Sequence, residues 1–118
     1  MKALVLIDFQ EGWMDKNSED YVGDISKVLD RVQSLIAYCR RMSYKIVFTR
    51  HVDDDFNSEL IGGLFKEGDS LVVKNKVSSF YKTEMDDVLS AVDEVVVCGI
   101  LTNLCVRSFI EDAYDRDM

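Results

Sequence analysis

Two apolar runs without polar alternation constrain the fold of this chain more than any other feature. Residues 3–9 and 95–100 are near-continuous apolar segments, which is typical of strands that are covered on both faces of a parallel sheet. Shorter apolar runs at 46–48 and 71–73 predict two further strands. Because both faces of such a sheet must be covered, the segments between the strands are expected to supply helices.

Helical periodicity is present between these strands. From 22 to 42 the apolar residues recur every three or four positions, as on one face of a long amphipathic helix. Thr83-Glu84-Met85-Asp86 has the form of an N-terminal capping box, and an apolar stripe follows it to Val92. A last helix is predicted from about 103 to 115. The alternation of strands and helices predicts a three-layer α-β-α fold, an open, Rossmann-like parallel sheet built from right-handed crossovers.

Length and composition limit the possible functions. A chain of 118 residues with 47% hydrophobic residues predicts a single domain over 1–118. The formal net charge of −8 argues against nucleic acid as a partner. The first apolar run ends at Asp8 without a cleavage site, and no run approaches the roughly 20 residues of a membrane span, so no membrane partner is predicted. The three cysteines, at 39, 98 and 105, have no disulfide or zinc spacing, which favours a reducing cytoplasm.

Three chemically distinct side chains are expected at one edge of the sheet. Asp8 ends the first strand, Lys74 ends the third, and Cys105 follows the fourth in the first turn of a helix. The helix N-terminus predicts a depressed thiol pKa for Cys105. Together the three groups are suited to act as base, charge stabiliser and nucleophile. Each has an ordinary alternative: a turn residue for Asp8, a solvated strand end for Lys74, and a buried helix residue for Cys105.

The other candidate residues carry weaker signals. Gln10, Trp13, His51 and Phe80 are tentative substrate-pocket residues, although both aromatic residues are equally suited to the core. Because His51 is the only histidine, it cannot build a multi-histidine metal site, and no metal or cofactor is predicted. The acidic run 53–55 is interpreted as a solvated loop in preference to a cation site. Cys39 and Cys98 are predicted to pack in the core.

Three segments in this order resemble the isochorismatase-like cysteine hydrolases, the superfamily that includes nicotinamidases and N-carbamoyl amidohydrolases. Residues 3–10 resemble the first-strand signature that ends in the family's catalytic Asp. Residues 73–83 resemble the segment that bears the catalytic Lys, with Ser78-Ser79-Phe80 in place of Ser-Ala-Phe. Residues 97–113 resemble the nucleophile segment. The resemblance covers nearly the whole chain and implies the fold predicted above.

The resemblance also implies an activity. A cysteine hydrolase would cleave a C–N bond of a small amide or ureido/carbamoyl compound through a thioester, with Asp8 as base, Lys74 as charge stabiliser and Cys105 as nucleophile. The backbone N–H groups of Leu101 and Cys105 would form the oxyanion hole, next to a cis peptide at Ile100-Leu101. Family habit further implies a homo-oligomer, either a dimer or a tetramer.

Departures from the family pattern leave an alternative open. Of the Asp-x-His pair and further histidines that hold a metal in nicotinamidases, Thr49-Arg50-His51 supplies one ligand only. Family members continue past the equivalent of Met118, so the C-terminal strands are expected to be missing and the fourth strand to form an exposed apolar edge. The alternative function is therefore a non-catalytic or incomplete member that acts as a ligand- or partner-binding module. A redox-sensing thiol is a weaker third hypothesis, because no resolving cysteine lies next to Cys105 in the sequence.

Overall fold

The computed structural model describes all residues from 1 to 118 and contains one four-stranded parallel sheet. The strands are β1 (Lys2–Ile7), β2 (Lys45–His51), β3 (Ser70–Lys74) and β4 (Glu94–Gly99). Their order in the sheet is β3-β2-β1-β4, and every neighbouring pair is parallel. The predicted parallel sheet is confirmed, with the two longest apolar runs side by side as β1 and β4.

The helices are shorter than the sequence predicts. They are α1 (Ser26–Arg41), α2 (Met85–Val88) and α3 (Arg107–Tyr114), and a π-helical turn (Thr102–Val106) leads directly into α3. The loop at 10–21 contains a 3-10 turn, Glu11–Met14. The loop at 52–69 has no helical turn and joins the first loop through an isolated antiparallel bridge between Gln10 and Leu60.

The predicted capping box forms only in part. The Thr83 hydroxyl accepts the Met85 N–H at 3.2 Å, but the Asp86 carboxylate is drawn away to Arg116 Nε at 2.6 Å. The reciprocal bond of a capping box is therefore absent, and α2 is a single turn. The apolar residues that follow α2 are not helical. Leu89 and Val92 are apolar because they are buried in the core.

Helices cover both faces of the sheet, which explains why β1 has no polar alternation. Leu4 and Leu6 pack with the buried face of α1, whereas Val5 and Ile7 pack on the opposite side with Phe109 of α3. Each fully buried aliphatic side chain of this kind contributes about 1.5–3 kcal/mol of transfer free energy. Burial on both sides fixes β1 at the centre of the domain, so its carboxyl end is a rigid support for a site.

The fourth strand lies at an edge of the sheet, as predicted. β4 is half-buried along most of its length, whereas β1 is fully buried after Lys2. An apolar recess lies beside β4. It is lined by Val95, Val97, Ile110, Ala113, Tyr114 and Met118.

No helix in the structure has the length and apolar character needed to cross a membrane.

Candidate active site

Asp8 is the first residue after β1, and its carboxylate is fully buried. Its φ is +55°, a left-handed conformation that is uncommon outside glycine and that aspartate adopts more readily than most residues. Thr49 of β2 holds Asp8 by two hydrogen bonds. The Thr49 hydroxyl donates to Asp8 Oδ1 at 2.6 Å and accepts the Asp8 N–H at 3.1 Å. These bonds leave the second carboxylate oxygen, Oδ2, free to face other groups.

Lys74 supplies the partner of that oxygen. It ends β3, its side chain is fully buried, and its Nζ lies 3.2 Å from Asp8 Oδ2. This contact is an ion pair, and Oδ2 has no hydrogen-bond partner. The ammonium also donates to the carbonyl oxygen of Lys76 at 3.0 Å. A buried charge needs a partner and satisfied hydrogen bonds, so the structure excludes the alternative of a solvated strand-end lysine.

Cys105 lies in the π-helical turn after β4, and its Sγ is 3.5 Å from Lys74 Nζ. The sulfur and the Asp8 carboxylate lie within 4.8 Å of each other. The sheet therefore brings together the three side chains that the sequence places at its carboxyl edge. A π-helical turn at this position is consistent with a functional site, because such turns concentrate there.

The predicted depression of the Cys105 pKa is wrong in direction. Burial raises the pKa of this thiol, and Asp8 raises it further, while the nearby Lys74 ammonium lowers it by less than the others raise it. The prediction considered only the helix N-terminus and omitted the cost of placing a thiolate in a half-buried position beside a carboxylate. Cys105 therefore rests as a neutral thiol at neutral pH.

A polar chain extends from Lys74 to the surface. Lys74 Nζ lies 3.1 Å from His51 Nδ1, and His51 Nε2 lies 2.7 Å from Asp53 Oδ2. The Lys74 ammonium can only donate, so His51 Nδ1 accepts its hydrogen bond. The ring proton is then on Nε2, which donates to Asp53. The other oxygen of Asp53 accepts the N–H groups of Asp55 and Phe56 at 2.8 and 2.7 Å, which holds the carboxylate in place.

The residues at this site do not fit a metal ion. Asp8, His51 and Cys105 present ligand atoms within 4.8 Å of one another, but the Lys74 ammonium lies within 3.5 Å of an atom of each. A second cation there would face that ammonium at short range. Both nitrogens of His51 are also already engaged. Thr49 contributes a hydroxyl that is bound to Asp8, so a histidine-based metal site of the nicotinamidase type is not formed.

A cavity of about 300 Å³ opens directly onto Cys105 and Asp8. Trp13 and Phe56 form an aromatic pair in its wall, with ring centroids 4.6 Å apart. The indole Nε1–H donates to the Asp8 carbonyl oxygen at 2.7 Å, which fixes the ring. Gly12 is required for this wall, because a Cβ at that position would come within 2.7 Å of the Phe56 ring.

Two of the four predicted pocket residues line this cavity and two do not. Trp13 and His51 line it. Gln10 is buried beneath His51, where its amide accepts the His51 N–H at 2.7 Å and donates to the His51 carbonyl at 3.0 Å. Phe80 stacks on Phe109 in the core, with centroids 5.3 Å apart. Gln10 is thus a support of the wall, and Phe80 is a core residue.

The sequence interpretation missed the acidic residues and one aromatic residue of the wall. Asp53 and Asp55 lie in the acidic run that the sequence favours as a solvated loop, Phe56 follows that run, and Asp20 belongs to the loop at 10–21. All four line the cavity. The one signal that pointed to them is the position of these loops, which follow β1 and β2 at the edge where Asp8 lies.

Backbone groups complete the site. The Ile100–Leu101 peptide is cis, and the Leu101 N–H donates to no acceptor within the chain. Leu101 also lines the cavity beside Cys105. Gly99 lets β4 reach this position, because a Cβ there would overlap the Ile7 carbonyl oxygen.

A three-layer α/β domain with a carboxylate, an ammonium and a thiol at the carboxyl edge of its sheet defines the class of protein. The family model for the isochorismatase domain matches residues 2–118. The chain therefore belongs to the isochorismatase family.

Relatives and solved structures agree with this assignment. The chain is 30% identical to nicotinamidase 3 of Arabidopsis thaliana over 95% of its own length and 65% of that protein. It is 47% identical to the ureidoacrylate amidohydrolase of Agrobacterium fabrum over 40% of its own length and 22% of that protein. The crystal structure of N-carbamoylsarcosine amidase from Thermoplasma acidophilum superposes with a TM-score of 0.84 at 26% identity, covering 98% of this chain and 77% of that one. The chain spans less than two thirds of the length of either curated relative.

Proposed function

We propose that the protein is a cysteine hydrolase that cleaves a C–N bond of a small amide or ureido/carbamoyl compound through a thioester. The observation that carries this proposal is the cluster of the buried Asp8 and Lys74 with the half-buried Cys105 at the floor of a cavity. The names of the relatives, a nicotinamidase and two amidohydrolases of ureido or carbamoyl compounds, support the same bond type.

The resting thiol dictates the first step. Because burial and Asp8 keep Cys105 neutral, a base must remove its proton for the sulfur to attack the carbonyl carbon. Asp8 is the base within reach, since its carboxylate and the sulfur lie within 4.8 Å. Lys74 is placed to offset the negative charge that moves from the carboxylate to the sulfur.

The tetrahedral intermediate places a negative oxygen beside the π-helical turn. The unpaired N–H of Leu101 and the N–H of Cys105 are the proposed donors to this oxyanion. Asp8 then returns the proton to the leaving nitrogen, the C–N bond breaks, and the acyl group remains on sulfur as a thioester. Water, deprotonated by Asp8, attacks the thioester; the C–S bond breaks, Asp8 returns the proton to the departing sulfur, and the acid and the free thiol are released.

The experiment is a screen of small primary amides and carbamoyl compounds with purified protein, with released ammonia as the readout. Cys105→Ala is expected to lose turnover and keep its fold. Cys39 does not line the cavity, so Cys39→Ala is expected to retain turnover. Mass spectrometry after rapid quenching is expected to detect an acyl adduct on the peptide that contains Cys105. Retained hydrolysis in Cys105→Ala would overturn the proposal. An absence of hydrolysis for every amide would favour the ligand-binding alternative.

The predicted homo-oligomer and cytoplasmic location stay predictions. The half-buried edge strand β4 and its apolar recess support association. Sedimentation velocity tests this directly, and a monomer at tens of micromolar protein would contradict it. The three unpaired thiols support a reducing compartment.

A further inference from the structure

The cavity over Cys105 has an asymmetric charge. Its wall includes Asp20, Asp53 and Asp55, and no lysine or arginine lines it. Asp53 is committed to His51 and to two backbone N–H groups. The carboxylates of Asp20 and Asp55 are exposed and take part in none of the ion pairs of the chain. The mouth of the cavity therefore carries at least two uncompensated negative charges.

The floor of the cavity does not offset these charges. The ammonium of Lys74, which lies 3.5 Å from the Cys105 sulfur, is paired with Asp8 and is fully buried. It is further held by His51 and by the carbonyl oxygen of Lys76. An anionic group that enters the cavity would thus meet the aspartates at the mouth and find no free cation inside.

Aromatic rings lie in the same wall as the carboxylates. Trp13 is fixed by its hydrogen bond to the Asp8 carbonyl oxygen, and Phe56 packs against it. Phe56 directly follows Asp55, so an aromatic ring and a free carboxylate are adjacent on one loop. Aromatic faces combined with carboxylates attract organic cations through their quadrupole and through direct charge, and both attractions strengthen when the cation is desolvated.

From this arrangement we infer that the cavity selects molecules whose non-reacting end is an organic cation and rejects carboxylates of the same size. The inference deepens the proposed function and, as a statement about substrates, rests on it. The amide would approach Cys105 while the cationic end lies against Trp13 and Phe56, beside Asp55. The selection itself is a property of the cavity and can be measured at the thiol without any hydrolysis.

The thiol measurement uses two methanethiosulfonate reagents of matched size, one with a trimethylammonium group and one with a sulfonate group. The rate at which each modifies Cys105 is followed by peptide mass spectrometry, and the ratio of the two rates is divided by the same ratio for free 2-mercaptoethanol. The normalised ratio is expected to favour the cationic reagent on the order of tenfold at low ionic strength and to shrink in 0.5 M salt. A ratio near one, or a preference for the sulfonate, would overturn the inference.

Variants identify the source of the selection. Asp20→Asn and Asp55→Asn remove the free carboxylates and are each expected to lower the normalised ratio by roughly threefold. Asp54→Asn is the matched control, because Asp54 lies in the same loop, carries the same charge and does not line the cavity. An equal effect of Asp54→Asn would indicate general net charge instead of selection by the cavity, and would overturn the inference.

A second measurement connects the selection to turnover. Three primary amides on one ring scaffold differ in charge: benzamide, 3-carbamoylbenzoate and the 1-methyl-3-carbamoylpyridinium ion. The cation-to-anion ratio of kcat/KM is expected to fall in Asp20→Asn and Asp55→Asn relative to the unmodified chain, a comparison in which the intrinsic reactivity of each amide cancels. If neither these amides nor any compound of the screen is hydrolysed, the proposed function fails while the thiol ratios still decide the selection. If benzamide is hydrolysed and the ratios do not respond to the variants, the selection fails while the proposed function stands.

Discussion

Lys74 Nζ lies 3.2 Å from Asp8 Oδ2, and both side chains are shielded from solvent. Two charged groups in such a position each lose their hydration and depend on each other. The carboxylate is further held by Thr49 and the ammonium by His51. The pair is therefore a structural support of the domain as well as the centre of its candidate active site.

Lys74→Met is expected to destabilise the fold by about 3–5 kcal/mol, because it leaves the Asp8 carboxylate buried without its partner. The double variant Asp8→Asn/Lys74→Met is expected to recover a large part of this loss, since no charge then stays buried. Urea unfolding followed by circular dichroism measures both. Lys76→Met, at an exposed lysine two residues away, is the control and is expected to change stability by less than about 0.5 kcal/mol. A double variant no more stable than Lys74→Met would show that the two charges do not depend on each other.

Asp8→Asn is expected to change thiol reactivity and turnover in opposite directions. Since Asp8 raises the pKa of Cys105, its removal lowers that pKa, and the thiolate forms at lower pH. Hydrolysis is nevertheless expected to be lost, because the asparagine side chain cannot take the thiol proton and return it to the leaving nitrogen. Iodoacetamide alkylation of Cys105 measured from pH 6 to 10 gives the first quantity, and ammonia release gives the second. An alkylation midpoint that moves to higher pH would contradict the assignment of Asp8 as the carboxylate facing the sulfur.

The fold was predictable because its signals are local. The uninterrupted apolar runs report burial on both faces, and β1 is indeed covered by α1 on one side and α3 on the other. The carboxyl ends of parallel strands share one edge, and this brings Asp8 and Lys74 together across the single strand, β2, that lies between β1 and β3. The length of α2 was not predictable from its apolar stripe, because Leu89 and Val92 are buried without being helical.

The cavity wall was not predictable in the same way. Phe80 and Phe56 both lie in largely polar stretches of the sequence, yet Phe80 stacks in the core and Phe56 faces the cavity. The distinction depends on how the loop at 52–69 folds back over β1, and Gly12 and Ser58 set that path through a hydrogen bond of 2.9 Å. The thiol pKa was mispredicted for a related reason, since burial and the Asp8 carboxylate are consequences of tertiary packing.

His51→Ala is expected to lower kcat by roughly 10- to 100-fold with little change in KM. The Nδ1 atom of His51 accepts a hydrogen bond from the Lys74 ammonium, and Asp53 stabilises the tautomer that can accept it. The loss of a hydrogen bond to a charged group costs about 1.5–3 kcal/mol. His51 is a positioning residue in this view, so the pH midpoint of Cys105 alkylation is expected to rise as Lys74 becomes less well placed. His51→Gln retains an acceptor and is expected to restore part of both quantities. A change in KM alone would instead indicate that His51 only contacts substrate.

The alkaline stability of the domain is expected to depend on Cys98. Burial raises the pKa of this thiol to about 11, with Cys39 adding to the effect. In the unfolded chain the same thiol has a pKa of about 8.5. Between about pH 8.5 and pH 11 the unfolded state therefore binds fewer protons than the folded state, and the free energy of unfolding falls as the pH rises. The contribution is fully present below about pH 8.5 and is lost progressively toward pH 11. From pH 7 to pH 10 it amounts to about 1–2 kcal/mol.

Urea unfolding of the unmodified chain and of Cys98→Ala at pH 7 and pH 10 isolates the contribution of Cys98, because the other groups that titrate in this range are common to both proteins. The stability difference between the two is expected to shift in favour of Cys98→Ala at pH 10, whereas Ser90→Ala, at an exposed hydroxyl that does not ionise, is expected to differ from the unmodified chain by the same amount at both pH values. A pH-independent difference for Cys98→Ala would show that the thiol has its ordinary pKa in the folded protein. The Cys98 thiol of β4 would then be more exposed to solvent than in the structure.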